Sequence, residues 1–161
     1  MKNKNFKRPN GKYWTPKDME ELEKVETYEK MFLIALRILE RMPQPITQIC
    51  GPITTGGNSS KEENVKEFNK AIFFFSERGE MVFDQIPFQN TMERLSKEVN
   101  GYDERILIKF YLPLFQSGKV KTFKFLPGWQ SSKGAKWEHK TIKQLKYKII
   151  HLEPEWHNIT V

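Results

Sequence analysis

The sequence predicts an α/β domain: a mostly parallel sheet of about four to five strands with helices on both faces, carrying an N-terminal helical extension. Three observations support this. From residue 46 onward, short apolar runs alternate with stretches of helical periodicity, strand then helix three times over and then a fourth strand. The 161 residues suit one domain, and 38% apolar against 29% charged residues is the balance of a chain with a proper core. The loops after the first and third apolar runs are rich in glycine and hydroxyls, as expected where ligands meet the carboxyl edge of a parallel sheet.

The elements follow in order. Residues 1–14 are basic, polar and Pro/Gly-bearing, and read as a flexible arm. Thr15-Pro16-Lys17-Asp18 starts a helix: a capping hydroxyl, a proline suited to the first turn, and an acid at the positive end of the dipole. A stripe of Leu22, Val25, Tyr28, Met31, Ala35, Leu36 and Leu39 continues it to Met42, with a break near Glu26-Thr27, and Pro43 and Pro45 end it. Residues 15–45 thus read as a helical extension and 46–161 as the α/β domain.

Ile46–Cys50 is the first strand. Ser60-Lys61-Glu62-Glu63 has capping-box spacing and opens a helix that buries Val65, Phe68, Ile72 and Phe75 before Gly79 stops it. Met81-Val82-Phe83 is a second strand. Residues 88–99 and 104–116 read as helices, with Pro113 kinking or breaking the latter. Val120–Leu126 is a third strand, Ser132–Leu145 a helix and Tyr147–Leu152 a fourth strand.

Charge and composition narrow the function classes. The net charge of +7 favours anionic partners, but acids interleave the lysines and no nucleic-acid-reading motif is present, so a nucleic-acid partner is not expected. No apolar run approaches the ~20 residues of a membrane span, and the N-terminus lacks a signal-peptide apolar segment. The single cysteine, Cys50, permits no intrachain disulfide and points to a cytoplasmic location. His139, His151 and His157 show no metal-ligand spacing, and neither a metal nor a cofactor is expected.

The two loops hold the chemistry. In Pro127–Lys133, a serine cap at the start of the following helix would turn backbone amides toward an anion. Gly134 and Glu138 are four apart on one helix face, so the glycine leaves a slot above the carboxylate. A carboxylate there can attack an anomeric carbon, whose transition state is oxocarbenium-like. On spacing alone, however, Glu138 also reads as an ordinary first-turn helix acid. Gly51–Asn58 offers amides and the Thr54 and Thr55 hydroxyls, and Phe83, Phe88 and Trp129 are available for stacking a base. It is neither a Walker loop nor a dinucleotide fingerprint.

Ile49-Cys50-Gly51-Pro52-Ile53-Thr54, ahead of a helix with Asn64, Phe68 and Asn69, resembles the first motif of nucleoside 2-deoxyribosyltransferase-like proteins. Leu126-Pro127-Gly128-Trp129, followed by Ser132, Gly134-Ala135 and Glu138-His139, resembles the second motif of a bacterial and phage branch of that superfamily. The resemblance spans roughly residues 46–152. It implies a flavodoxin-like sheet, Glu138 as nucleophile, and cleavage or transfer of the N-glycosidic bond of a nucleoside or nucleoside 5′-monophosphate. It further implies a phosphate among Ser131, Ser132 and Gly134, and Gly51, Pro52 and Ile53 along the sugar and base, beside Thr54 and Trp129. Relatives assemble as dimers or larger, so a homo-oligomer is expected. One departure stands out: the stretch Ile106–Lys121, where relatives carry aspartates, has no acid. Asp84 and Asp103 are the nearest substitutes, and Tyr111 can hydrogen-bond in their place. A non-catalytic nucleotide-binding or sensing domain on the same scaffold is the alternative.

Overall fold

The computed structural model describes residues 7–54, 56–57 and 60–158. It is an α/β domain with a four-stranded, all-parallel sheet, flavodoxin-like in its order β2-β1-β3-β4. The strands are β1 (Ile46–Cys50), β2 (Met81–Phe83), β3 (Thr122–Phe125) and β4 (Lys148–His151). Each sits inside or on the run predicted for it. The helices are α1 (Pro16–Lys24), α2 (Tyr28–Arg41), α3 (Lys61–Glu77), α4 (Gln89–Leu95), α5 (Leu112–Gln116) and α6 (Lys133–Gln144).

Local chemistry accounts for the helix ends. The Thr15 hydroxyl accepts from the Asp18 amide while the Asp18 carboxylate accepts from the Thr15 amide, a reciprocal cap. Thr27 caps α2, which explains the break between α1 and α2, and Ser60 caps α3 through the Glu63 amide. Pro113 does not break its helix. The turns just before it widen into a π segment, Leu107–Tyr111, that leads directly into α5. The wider turn relieves the clash and the missing donor that proline brings to a regular helix, and such bulges recur beside functional sites.

Alternation along the strands divides the core in two. Ile46, Cys50, Phe83, Phe123 and Phe125 face α2, the π segment, α5 and α6. Ile49 and Val82 face α3 through Phe68, Ala71, Ile72 and Phe75, with Trp156 stacked on Phe75. Helices therefore cover both faces, as predicted.

Two expectations for the N-terminus change. Trp14, Leu22, Met31, Ile34 and Leu39 are buried in the same core as the sheet, so a boundary at residue 45 separates no core of its own. Residues 7–14 are not a free arm. Arg8 is ion-paired to Asp84, the Asn10 amide donates to the Val82 carbonyl at 2.8 Å, and Trp14 is buried against Phe88. The basic composition suggested solvation; in the fold the segment seals the β2 edge of the sheet. Residues 1–6 lie outside the described residues.

Candidate active site

The strand order reverses between β1 and β3, and in parallel sheets the crevice beyond the carboxyl ends at that point is where ligands bind. The register pairs Cys50 with Phe125, and the Leu126 amide extends the ladder to the Cys50 carbonyl at 2.8 Å. The two glycine-rich loops therefore leave the sheet side by side. Gly51 has to be small, since a Cβ there would lie 2.9–3.0 Å from Leu126 side-chain carbons.

Polar contacts lock the loops together. The Gly57 amide donates to the Ser131 hydroxyl at 2.6 Å, and that hydroxyl donates to the Gly128 carbonyl at 2.7 Å. Gly56 has φ +69° and so close an approach to Ser131 that a Cβ would sit 2.2 Å from its carbonyl oxygen. From α3, the Asn64 amide holds the Ile53 and Gly56 carbonyls at 3.1 and 3.0 Å. Ser132 caps α6 by accepting from the Ala135 amide at 3.2 Å.

Glu138 stands one turn below Gly134 on α6, at the wall of the cleft between these loops. It is 7% exposed, and its Oε2 is buried with no hydrogen-bond partner. Burial pushes its pKa up to about 8, against a weaker downward pull from the Cys50 thiol beneath it. The influence runs the other way too: burial and then Glu138 raise the Cys50 thiol well above its usual range. Tyr111 responds in the same sense, by burial first and then Glu138. Its hydroxyl donates to Gln85 Oε1 at 2.5 Å, and the Gln85 amide donates to the Ile49 carbonyl at 2.8 Å, tying the π segment to β1.

Of the residues singled out from sequence, Gly51, Ile53, Thr54, Tyr111, Ser132, Gly134 and Glu138 line this cleft. Pro52, Asp84, Trp129 and Ser131 do not. Pro52 is buried beneath Gly57, and Ser131 is spent on the loop–loop contacts. Asp84 is occupied by the Arg8 guanidinium at 2.5 and 3.1 Å and by the Ile86 amide at 3.1 Å. Asp103 is likewise occupied, by Arg105 and the Tyr28 hydroxyl. Phe83 and Phe88 are 1% and 0% exposed, which removes both as stacking surfaces. Trp129 stacks instead on His139. Thr55 and Asn58 lie outside the described residues.

The sequence reading missed the opposite wall. Gln89, Met92, Glu93 and Ser96 of α4 and its end face the cleft, and their spacing of three, four and seven marks one helix face. Tyr102, following Gly101 at φ +80°, places its hydroxyl 2.9 Å from where a Gly134 Cβ would be. Tyr102 thus fills the slot that the glycine leaves over Glu138. The open volume is about 80 Å³, well below the ~300 Å³ of a typical small-molecule pocket, so a larger ligand has to displace this side chain. A larger hollow of about 520 Å³ lies between α1 and α2. Lys24 is paired there with Glu20 and Arg37 with Glu21, and the hollow offers no buried reactive group.

No helix among the described residues is long and apolar enough to cross a membrane. No family model, no curated protein and no solved structure matches the chain.

Proposed function

We propose that the chain cleaves or transfers the N-glycosidic bond of a nucleoside or nucleoside 5′-monophosphate, with Glu138 as the nucleophile. The observation that carries this reading is a buried carboxylate with an unpartnered oxygen at the wall of a cleft beyond β1 and β3. A carboxyl oxygen left buried without a hydrogen-bond partner costs stability, and facing a cleft it suits a group that acts on a ligand.

In the proposed reaction Glu138 Oε2 attacks the anomeric carbon as the bond to the base nitrogen breaks. The bonding pair leaves on the base, which takes up a proton from water. Water or a second base then displaces the carboxylate from the sugar and restores it. The ionised form attacks, whereas a pKa of about 8 keeps Glu138 mostly protonated at neutral pH. Activity is therefore expected to rise with pH up to about 8. A monophosphate is favoured over a nucleoside by the net charge of +7 and by the Ser132-capped start of α6 beside the carboxylate.

The test is free-base release from a panel of ribo- and deoxyribonucleosides and their 5′-monophosphates, with wild type and Glu138→Gln side by side. Release by wild type and its loss in the variant are expected. No release from any compound, or equal release by the variant, overturns the reading. One observation favours a non-catalytic nucleotide binder instead: Asp84 and Asp103, the nearest acids to those missing from 106–121, are both taken up by arginines. Calorimetry showing tight nucleotide binding without turnover would select that alternative.

A further inference from the structure

We propose that the outer face of α6 and the start of β4 form a binding surface for single-stranded nucleic acid, held through its phosphates and separate from the Glu138 cleft. The net charge of +7 is not spread over the chain. Between Ser117 and Leu152 stand nine lysines and one acid, Glu138, which is buried. The rest of the chain is therefore close to neutral. Acids interleave the lysines over the sequence as a whole, but not in this segment. Of its lysines only Lys124 is buried, and it is paired with Glu80.

The fold gathers the others into one band. Lys133, Lys136, Lys140 and Lys143 are three, four and three apart, which makes a single stripe along α6. All four are exposed, while Ala135, Glu138 and Ile142 are buried on the opposite side of the helix. At ~1.5 Å per residue the stripe runs about 15 Å. The turn after α6 adds Lys146, and β4, an edge strand, begins with Lys148. The Lys148 amide donates to the Lys121 carbonyl at 3.0 Å, which brings exposed Lys121 to the same end. The ion pairs among the described residues include none of Lys136, Lys140, Lys143, Lys146 and Lys148.

A solvated charged face ordinarily mixes signs, as α1 does with its Lys17–Glu21 and Lys24–Glu20 pairs. Like charges three and four apart disfavour a helix, and phosphates laid along the α6 stripe remove that repulsion. Protection of the sheet edge accounts for Lys148 but not for the four lysines on α6. The exposed large apolar side chains, Leu33, Phe73 and Ile108, all lie on other elements, so the face lacks the apolar anchors that seat a helix on a lipid surface. An aromatic group borders it instead. His139, four residues before Lys143, meets His151 head-on at 2.9 Å with ring planes within 20°. Trp129 stacks on both, 4.2 Å from His139 and 5.7 Å from His151. His151 is exposed, so this flat group is open to an unpaired base. A cationic track beside stacking rings is how single strands are held without regard to sequence.

The experiment titrates the full chain, without an affinity tag, into fluorescein-labelled oligo(dT) and follows anisotropy, with a duplex of equal length and phosphatidylserine vesicles in parallel. Binding is expected to weaken with salt at a log–log slope of about −3.5, from five lysine contacts at about −0.7 each. Lys136→Gln/Lys140→Gln/Lys143→Gln should weaken it by at least ~10-fold and bring the slope to about −1.5. Lys17→Gln/Lys24→Gln/Lys30→Gln removes the same charge elsewhere and should stay within ~2-fold of wild type. His151→Ala should weaken oligo(dT) binding by ~5-fold or more and leave duplex binding unchanged. All these side chains are exposed, so the variants are expected to keep the wild-type melting temperature, which is checked in parallel. No salt-dependent binding, or equal losses in the two triple variants, overturns the proposal. Tighter binding of the duplex than of oligo(dT) overturns the single-strand assignment, and binding of vesicles but not of oligonucleotides replaces nucleic acid with a membrane.

Discussion

Glu138 and Asp84 are two buried carboxylates at the same edge of one sheet, 7% and 4% exposed, and they have opposite surroundings. Asp84, at the end of β2, meets a guanidinium through both oxygens and a backbone amide besides. Glu138, beside the ends of β1 and β3, has a cysteine thiol below it and a cleft before it, with one oxygen unpartnered. Burial raises the pKa of both, but only Asp84 has a cation to oppose it. A satisfied buried carboxylate holds elements together. An unsatisfied one facing a cleft costs stability at a place where a ligand can repay it.

The largest expected effect tests the Glu138 half of that contrast. Glu138→Gln keeps the shape and removes the nucleophile, so base release should fall by at least ~10³-fold. Folding should be unharmed or improved, because an amide costs less to bury than a carboxylate. Comparable losses of activity and melting temperature in this variant would make Glu138 a structural residue like Asp84.

Next comes Arg8→Ala, which leaves Asp84 buried and unpaired. The expected cost is ~3–5 kcal/mol in urea unfolding, and adding Asp84→Asn should recover much of it. A loss below ~1 kcal/mol would mean that the pair contributes no more than a surface bridge. The contrast between the two carboxylates would then collapse.

These two sites also show what was legible from residues alone. Glu138 could be found because Gly134 is four residues away and each loop motif is a contiguous stretch of sequence. The strands could be found because their apolar runs are short, separate and flanked by turn residues. The Arg8–Asp84 pair spans 76 positions, and nothing local in a basic, proline-bearing segment announces a partner on a strand end. Tyr102 was missed for the same reason: its role over Gly134 comes from how the 96–103 segment folds back, which no periodicity records. His139 and His151 are two ordinary surface residues until β4 pairs with β3.

A smaller effect separates the two carboxylates by pH. Glu138 has a reference pKa of 4.5 in the unfolded chain and about 8 in the fold. Between these values the unfolded chain releases the proton that the folded chain keeps, so stability should decline as pH rises through that window. The slope is at most ~1.4 kcal/mol per pH unit, with the favourable contribution fully present below the unfolded value. Glu138→Gln should flatten the decline, so that wild type loses more stability than the variant between acid and mildly alkaline pH. Parallel curves for the two proteins would show that Glu138 is solvated in solution.

The smallest effect concerns the polar lock that shapes the Glu138 cleft without entering it. Ser131 is exposed, and its hydroxyl accepts from the Gly57 amide and donates to the Gly128 carbonyl. Water can replace such bonds at the surface, so Ser131→Ala should cost only ~0.5–1 kcal/mol of stability. The loops would lose their register more than the domain loses its fold. If Gly51–Thr54 bind substrate and Glu138 reacts with it, the variant should raise KM while kcat stays near wild type, because the nucleophile is anchored on α6 and not on the loops. A fall in kcat with KM unchanged would instead place the loop–loop contact in the reacting geometry.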